Sequence, residues 1–341
     1  MTDNEIRIGL VGCGVIGGFH LKIWKDTPGA KVTAVCDIIP ERASKHAEEF
    51  GAEAYTDYAE MLASADIDGV DICTPSGLHA QQGMMAIQAG KHILVEKPLD
   101  IDIAKVDKLL EMVDKSGLTL ACIFNNRVGA QIMRAKQLID EGALGRLISG
   151  STYIKWWRAQ EYYDSDAWRG TWALDAGVFS NQGIHAIDQL TWMCGPIKEV
   201  NFCHIETALH KMEAEDVGIA AVTFENGAHG VIEATTCCYP GMSLRTEIYG
   251  TKGSAVFDGA KVVSFDVQGE KIDLASQSEK HGDGKADPLA ISAGGHVAQI
   301  LDFCDCIREG RKPMVDGRSA RVAVDTLTKL YNKAGITKLG T

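Results

Sequence analysis

The run "IRIGLVGCGVIGGFH" (6–20) constrains the fold more than any other stretch of the chain. A β-rich segment ends in glycine, and Gly12, Gly14 and Gly17 follow in GxGxxG spacing. Helical periodicity then begins at once, with Ile16, Phe19 and Ile23 recurring before a Pro-Gly stop. Glycine is common, so the spacing alone is weak. Its place between a strand and a helix is what makes it informative. The first glycine permits a tight turn, the second lets a pyrophosphate approach, and the third lets the helix pack on the strand. Phosphate is favoured at the helix N-terminus, so Gly12, Gly14, Val15 and Ile16 are candidate cofactor contacts.

Asp37 closes the next strand-like run, "KVTAVCD", twenty residues beyond Gly17. A carboxylate there can accept both hydroxyls of an adenosine ribose and repels a 2′-phosphate. The following Ile38-Ile39-Pro40 offers no cation to pair a phosphate. NAD(H) is expected over NADP(H).

Buried strands continue to alternate with helices through "PERASKHAEEFG", "DGVDICTP", a helix near 78–89, "HILVEKP", a helix near 102–116 and "TLACIF". That pattern predicts a doubly wound parallel sheet. It changes near residue 125. A helix near 130–141, the strand "GRLISGSTYIKWW" and a helix over 181–190 are followed by closely spaced extended runs. Asn-Gly, Thr-Lys-Gly and Asp-Gly turns join these runs, as in a mostly antiparallel sheet. Residues 275–290 read as a polar mobile loop, and helices near 294–309 and 317–334 close the chain. Two domains are expected, 1–125 and 126–341, within the 341 residues.

Composition removes several classes. With 34 basic and 46 acidic side chains the net charge is −12. This argues against nucleic acid or an anionic membrane surface as main partner. No signal peptide or membrane-length apolar run is visible, so the expected location is cytoplasmic. The ten cysteines include no CxxC and no zinc-like Cys/His spacing. Cys13, Cys36, Cys73 and Cys122 lie in or beside apolar runs, as buried small hydrophobes do. No metal is expected.

With "CTPSGLHA" (73–80), "ILVEKPL" (93–99), "GIHAIDQL" (183–190) and the tail "FCDCIREGRKPMVDGRSARVAVDTLTKLYNKA", the chain resembles the Gfo/Idh/MocA oxidoreductases over nearly its whole length. The resemblance implies an N-terminal Rossmann domain and a C-terminal α+β domain whose open sheet often makes oligomer contacts, as a dimer or tetramer. It places Glu96 and Lys97 beside the nicotinamide ribose, often with a cis bond before Pro98, and Thr74, Pro75 and His79 along the cofactor. Asn126 and Arg127 match the segment under the nicotinamide and substrate.

Lys97 can also be argued from position. A Lys at the end of a parallel strand sits at the sheet edge where open α/β folds bind ligands. Its ammonium can stabilise a developing alkoxide. On a helix, Asn181, His185 and Asp188 can share one face, and His suits proton exchange near neutral pH. His185 matches the family's catalytic histidine. Inositol-dehydrogenase-like members carry Asp where this chain has Asn181. Asn cannot relay a proton, and the change leans the resemblance towards members that oxidise a sugar ring at C3. Asn181 could alternatively cap the helix.

Upstream, "KWWRAQEYYDSDAWRGTWALDAG" (155–177) crowds Trp156, Trp157, Tyr162, Tyr163, Trp168 and Trp172 around arginines. Ring faces edged by Arg158, Arg169 or Asp175 suit a pyranose, and the same residue types suit an oligomer interface. The expectation is an NAD-dependent sugar or glycoside dehydrogenase. Lys97 and His185 are its catalytic candidates. Asn181, Arg127, Arg158, Tyr163, Trp168, Arg169 and Asp188 are its substrate-contact candidates. The alternatives are an NAD-using glycoside hydrolase, an inositol or polyol dehydrogenase, and a non-catalytic NAD-binding regulator.

Overall fold

The computed structural model describes residues 5–274, 293–337 and 339–340. The expected loop 275–290 lies outside the described residues. The chain divides into two compact units: Met1–Ile123 with His296–Arg321, and Phe124–Gly295 with Val322–Thr341.

The first unit alternates strand and helix as its sequence pattern demands. Its elements are β1 (Ile6–Val11), α1 (Val15–Lys25), β2 (Ala30–Cys36), α2 (Pro40–Phe50), β3 (Glu53–Tyr55), α3 (Tyr58–Ser64), β4 (Gly69–Ile72), α4 (His79–Gln88), β5 (His92–Val95), α5 (Ile103–Ser116) and β6 (Leu120–Cys122). All pairings are parallel, in the order β3-β2-β1-β4-β5-β6. Helices cover both faces of such a sheet, so its strands are apolar on both sides; β4 is buried throughout. The helix ends carry local signals. α2 starts at Pro40 and closes on Gly51 in the left-handed conformation. The Asp57 carboxylate accepts from Ala59 and Glu60 N–H to cap α3. β3 and α3 are too short for hydrophobic periodicity to reveal them.

The second unit begins with α6 (Ala130–Asp140), β7 (Leu147–Lys155), α7 (Gln160–Asp164) and α8 (Ile184–Cys194). The strands β8 (Ile197–Glu206), β9 (Val217–Phe224), β10 (His229–Thr235), β11 (Arg245–Gly250), β12 (Gly253–Asp258), β13 (Lys261–Val267) and β14 (Glu270–Lys271) follow. The eight-stranded sheet has the order β14-β13-β12-β11-β7-β10-β9-β8. Only β7 and β10 pair in parallel; every other pair is antiparallel. In β9, Gly218, Ala220, Val222 and Phe224 point inward while the alternate residues are more exposed, the period of a sheet with one open face. α8 packs on the other face, where Gln189 bonds both Thr246 and the Gly259 carbonyl.

Two closing helices complete the described chain, α9 (Ala293–Glu309) and α10 (Gly317–Lys333). Residues 296–321 belong to the first unit, so the expected second domain, 126–341, gives this stretch up. The reason is apolar. Ile300, Phe303 and Cys304 of α9 join the core built by Ile8, Leu10, Leu21 and Trp24. Gln299 donates to the Cys122 carbonyl at 3.0 Å. Burying a side chain such as Ile300 or Phe303 contributes about 1.5–3 kcal/mol. Among the described residues no helix is long and apolar enough to cross a membrane, and none of the ten cysteines is in a disulfide.

Candidate active site

In the first unit the glycine turn leads from β1 into α1. Gly12 has φ +93°, and a Cβ on it would lie 2.6 Å from the Cys73 carbonyl oxygen. A Cβ on Gly17 would lie 2.0 Å from the Gly12 oxygen, so helix and strand can meet this closely only without one. Gly14 is different: nothing lies within 4 Å of the position its Cβ would take. The space beside the α1 N-terminus is open there, and Val15, the next residue, is exposed. The Asp37 carboxylate accepts from Cys13 N–H at 2.8 Å and from Ile39 N–H at 2.9 Å. It therefore ties the glycine turn to the end of β2. Ile38 beside it is 88% exposed, and no cation flanks the carboxylate in sequence.

The ends of β4 and β5 carry the next group. Thr74 bonds Gln82, and Pro75 opens a short 3-10 turn, Ser76–Leu78. His79 is clamped between the Pro98 carbonyl at 2.6 Å and the Thr74 carbonyl at 2.7 Å. It therefore fixes two loops to each other. Lys97 is half-buried and its bond to Pro98 is cis. Glu96, expected at the cofactor ribose, turns inward. One carboxylate oxygen meets His20 Nε2 at 3.2 Å and His296 Nε2 at 3.4 Å. The other accepts the Lys97 N–H at 3.1 Å. Burial opposes ionisation of Glu96, but the two histidines outweigh it and hold its carboxyl well below the usual range. Burial likewise opposes the His20 imidazolium. Asp71 and Cys73 outweigh that effect and hold His20 well above its ordinary value.

In the second unit the helix expected over 181–190 begins at Ile184, capped by Gly183 without a side-chain bond. Asn181 thus precedes the helix in a turn and is not its cap. Its Nδ2 donates to Asp175 Oδ1 at 2.7 Å, and Asp175 Oδ2 accepts from Gly170 N–H at 2.9 Å. His185 is half-buried, its ring edge-on to Phe124 with centroids 6.5 Å apart. Asp188 lies three residues beyond His185 on α8. It is fully buried, and Arg127, itself buried, bonds it through Nε at 2.7 Å and through Nη2. The Arg127 guanidinium also lies over the Phe124 and Trp192 rings. Asn126 is half-buried in the preceding 3-10 turn.

The aromatic segment 155–177 is a stack of alternating rings and guanidinium groups. Arg158 lies over Trp156 and Tyr162, and Arg169 lies over Tyr162 and Trp168, with carbon-to-centroid distances from 4.3 to 5.5 Å. Tyr162 OH accepts from Arg169 at 2.7 Å and from Gln182 at 3.2 Å. Such cation–π contacts contribute about 0.5–2 kcal/mol each. Arg158 and Tyr163, expected on the substrate, are buried inside the unit instead. Tyr163 bonds Thr236 at 2.7 Å and packs on His210 at 4.6 Å between centroids. His210 pairs with Asp216 and meets the Arg158 carbonyl, both at 2.8 Å. Trp168 and Arg169 are more accessible.

Comparison with known proteins fits both units. The family description "Oxidoreductase family, NAD-binding Rossmann fold" matches residues 6–124, and "GFO/IDH/MocA C-terminal domain" matches 132–256. The uncharacterized oxidoreductase YrbE of Bacillus subtilis is 30% identical over 338 residues, covering 95% of each chain. The chain belongs to the Gfo/Idh/MocA oxidoreductase family. The myo-inositol 2-dehydrogenase of Thermotoga maritima is 25% identical, covering 94% of this chain and 93% of its own. The WlbA dehydrogenase of Bordetella pertussis, solved with NADH and UDP-GlcNAcA, has a TM-score of 0.85 at 30% identity, covering 97% of each chain.

As a Gfo/Idh/MocA member the chain is an NAD-binding oxidoreductase. Its own residues fit that cofactor. The open space at Gly14, the α1 N-terminus and Asp37 would hold its pyrophosphate and ribose, where a doubly wound sheet binds dinucleotides. Sequence reading missed His20 and His296, which meet Glu96, Asp71, which meets His20, and Glu215 with Tyr331, which underlie the loop before α8. It also missed that, among the described residues, three His-containing clusters, His20/Glu96/His296, His20/Asp71/Cys73 and His210/Asp216/Cys237, bring potential ligand atoms within 4.8 Å of each other. No spacing rule signals residues so far apart in the chain.

Proposed function

We propose that the chain is an NAD-dependent dehydrogenase of a sugar or glycoside, oxidising a ring secondary alcohol at C3. One observation carries this reading. An amide, not a carboxylate, stands four residues before His185, and its nitrogen is committed to Asp175 at 2.7 Å. A carboxylate only accepts, so Asn181 Nδ2 must face Asp175 and the Oδ1 acceptor lies on the opposite side of the amide. That acceptor suits a sugar hydroxyl. His185 takes the reacting hydroxyl's proton. The Lys97 ammonium stabilises the alkoxide that forms. Trp168 and Arg169 contact the ring and its hydroxyls. NAD, when bound, accepts the hydride. The sugar nucleotide named with WlbA and the cyclitol named for the Thermotoga relative support a polyol substrate class; C3 is our extension.

The test is NADH formation with a panel of glycosides, UDP-sugars, free sugars and inositols, with mass spectrometry for 3-keto products. Lys97→Ala and His185→Ala should each lower kcat by about 10²–10⁴. Unchanged turnover in both overturns these roles. Preference for inositols over every pyranose would move the substrate to the cyclitols, and aglycone release without net NADH would make the chain an NAD-using hydrolase. NAD binding with no polyol turned over would leave a regulator.

We also propose a homo-oligomer, dimer or tetramer, through the open face of the eight-stranded sheet. Phe202, Ile219 and Tyr249 are exposed there. A monomeric mass by light scattering would remove that proposal.

A further inference from the structure

Five polar groups are buried together beneath the end of β5. Trp24 Nε1 donates to Asp71 Oδ2 at 2.7 Å, and His20 Nδ1 meets the same oxygen at 2.8 Å. His20 Nε2 reaches Glu96 Oε1 at 3.2 Å, and His296 Nε2 reaches it at 3.4 Å. All five side chains are at most 5% exposed. Burying two carboxylates and two imidazoles costs several kcal/mol of desolvation per charge, and apolar side chains of similar volume would fill this space more cheaply.

What the network holds is specific. Glu96 Oε2 accepts the backbone N–H of Lys97 at 3.1 Å. On the other side of Lys97, the Pro98 carbonyl is held by His79 at 2.6 Å. The Lys97 backbone is therefore clamped before and after its side chain. His296 reaches the clamp from α9, two hundred residues further along the chain than Glu96, with its ring edge-on to Phe19 at 5.2 Å.

We propose that His20 and His296 are positioning residues: they fix the Glu96 carboxylate, and Glu96 fixes the backbone that presents Lys97. The functional part rests on the reading of Lys97 as the alkoxide-stabilising group; the geometric part does not. A Glu96 carboxylate that loses a donor can rotate, and the Lys97 N–H then loses its acceptor.

Two measurements on the full-length protein test this. Amide hydrogen exchange in the peptide spanning 93–99 reads the clamp directly. In His296→Ala, exchange at Lys97 should accelerate about tenfold, the factor expected for losing one hydrogen bond. The amides of β1 and β4 should keep their wild-type rates. Glu96→Gln, which keeps the shape but gives up one acceptor oxygen, should show the same local effect. His296→Gln, whose amide can still donate to Glu96, should restore most of the protection.

The second measurement is hydride transfer with a C–H-deuterated substrate. In His296→Ala, kcat should fall about tenfold or more and its isotope effect should rise, with the KM for NAD little changed, as expected when only the chemical step is mispositioned. Unchanged exchange at Lys97 in both His296→Ala and Glu96→Gln overturns the proposal. So does acceleration spread evenly over β1, β4 and β5, which would mark a merely structural role. A wild-type protein that oxidises no polyol would defeat the function reading alone, because hydrogen exchange would still decide the clamp.

Discussion

The two units hold their candidate residues by different means. In the first, backbone topology does the placing. Gly12 follows β1, Asp37 follows β2, Thr74 follows β4 and Lys97 comes just after β5, all at the same edge of one parallel sheet. In the second, the candidates other than Asn126 and Arg127 lie on 156–188, which has only a five-residue helix before α8. Buried side-chain pairs fix that stretch: Arg127 with Asp188, His210 with Asp216, and Glu215 with Tyr331. A sheet spreads its positioning over many ladder bonds of about 1 kcal/mol each. A loop held by a few buried polar pairs concentrates it, so single substitutions should matter more there.

Asp188→Ala tests this most severely. It leaves the buried Arg127 guanidinium without its carboxylate, and breaking such a pair costs about 3–5 kcal/mol. Urea unfolding should show a loss of that size. A loss below 1 kcal/mol would remove the contrast between the units.

Glu215 sharpens the comparison through pH. Its Oε1 accepts from Tyr331 OH at 2.7 Å and from Phe179 N–H at 3.0 Å, pinning the loop that carries Asp175 and Asn181. Burial pushes its carboxyl from an ordinary 4.5 up to about 7, although the Tyr331 and Phe179 bonds pull the other way. Between those values the native chain holds a proton that the unfolded chain has released. Stability therefore falls as pH rises through that window, by up to about 3 kcal/mol from this one group. Above pH 7 its contribution levels off. Glu215→Gln should lack this slope, which urea titrations of both proteins at pH 5 and pH 8 would reveal. Parallel pH dependence in the two proteins would rule the assignment out.

The smallest expected effect lies in the first unit. Asp57→Ala removes the two N-cap bonds of α3 and should cost about 1 kcal/mol. NAD affinity should not change. A weakened NAD affinity by calorimetry would mean that the helices of this unit help to place its site, contrary to the sheet-edge account.

Much of the cofactor side could be read from local pattern. GxGxxG between strand and helix, a carboxylate at the next strand end and a Lys after a buried strand each depend on residues close in sequence. In the structure the space at Gly14 is open and Asp37 bonds the glycine turn. On the substrate side the aromatic and arginine composition was legible, but which face each side chain shows was not. Tyr163 is buried against Thr236 and Arg127 against Asp188, partners from other segments, while Arg158 packs on the Trp156 and Tyr162 rings of its own segment. The helix of "GIHAIDQL" began three residues later than its polar periodicity suggested, since Asn181 is drawn to Asp175 instead.

By itself the sequence determined the doubly wound parallel sheet, the glycine turn that joins its first strand to a helix and the mostly antiparallel second sheet, because periodicity and turn chemistry act over a few residues. Only the tertiary structure decided that 296–321 joins the first unit and that His296 meets Glu96 and His20. It also decided that Glu215 underlies the loop before α8. Those outcomes depend on which apolar faces pack together and which buried polar groups find partners, and such pairings are long-range.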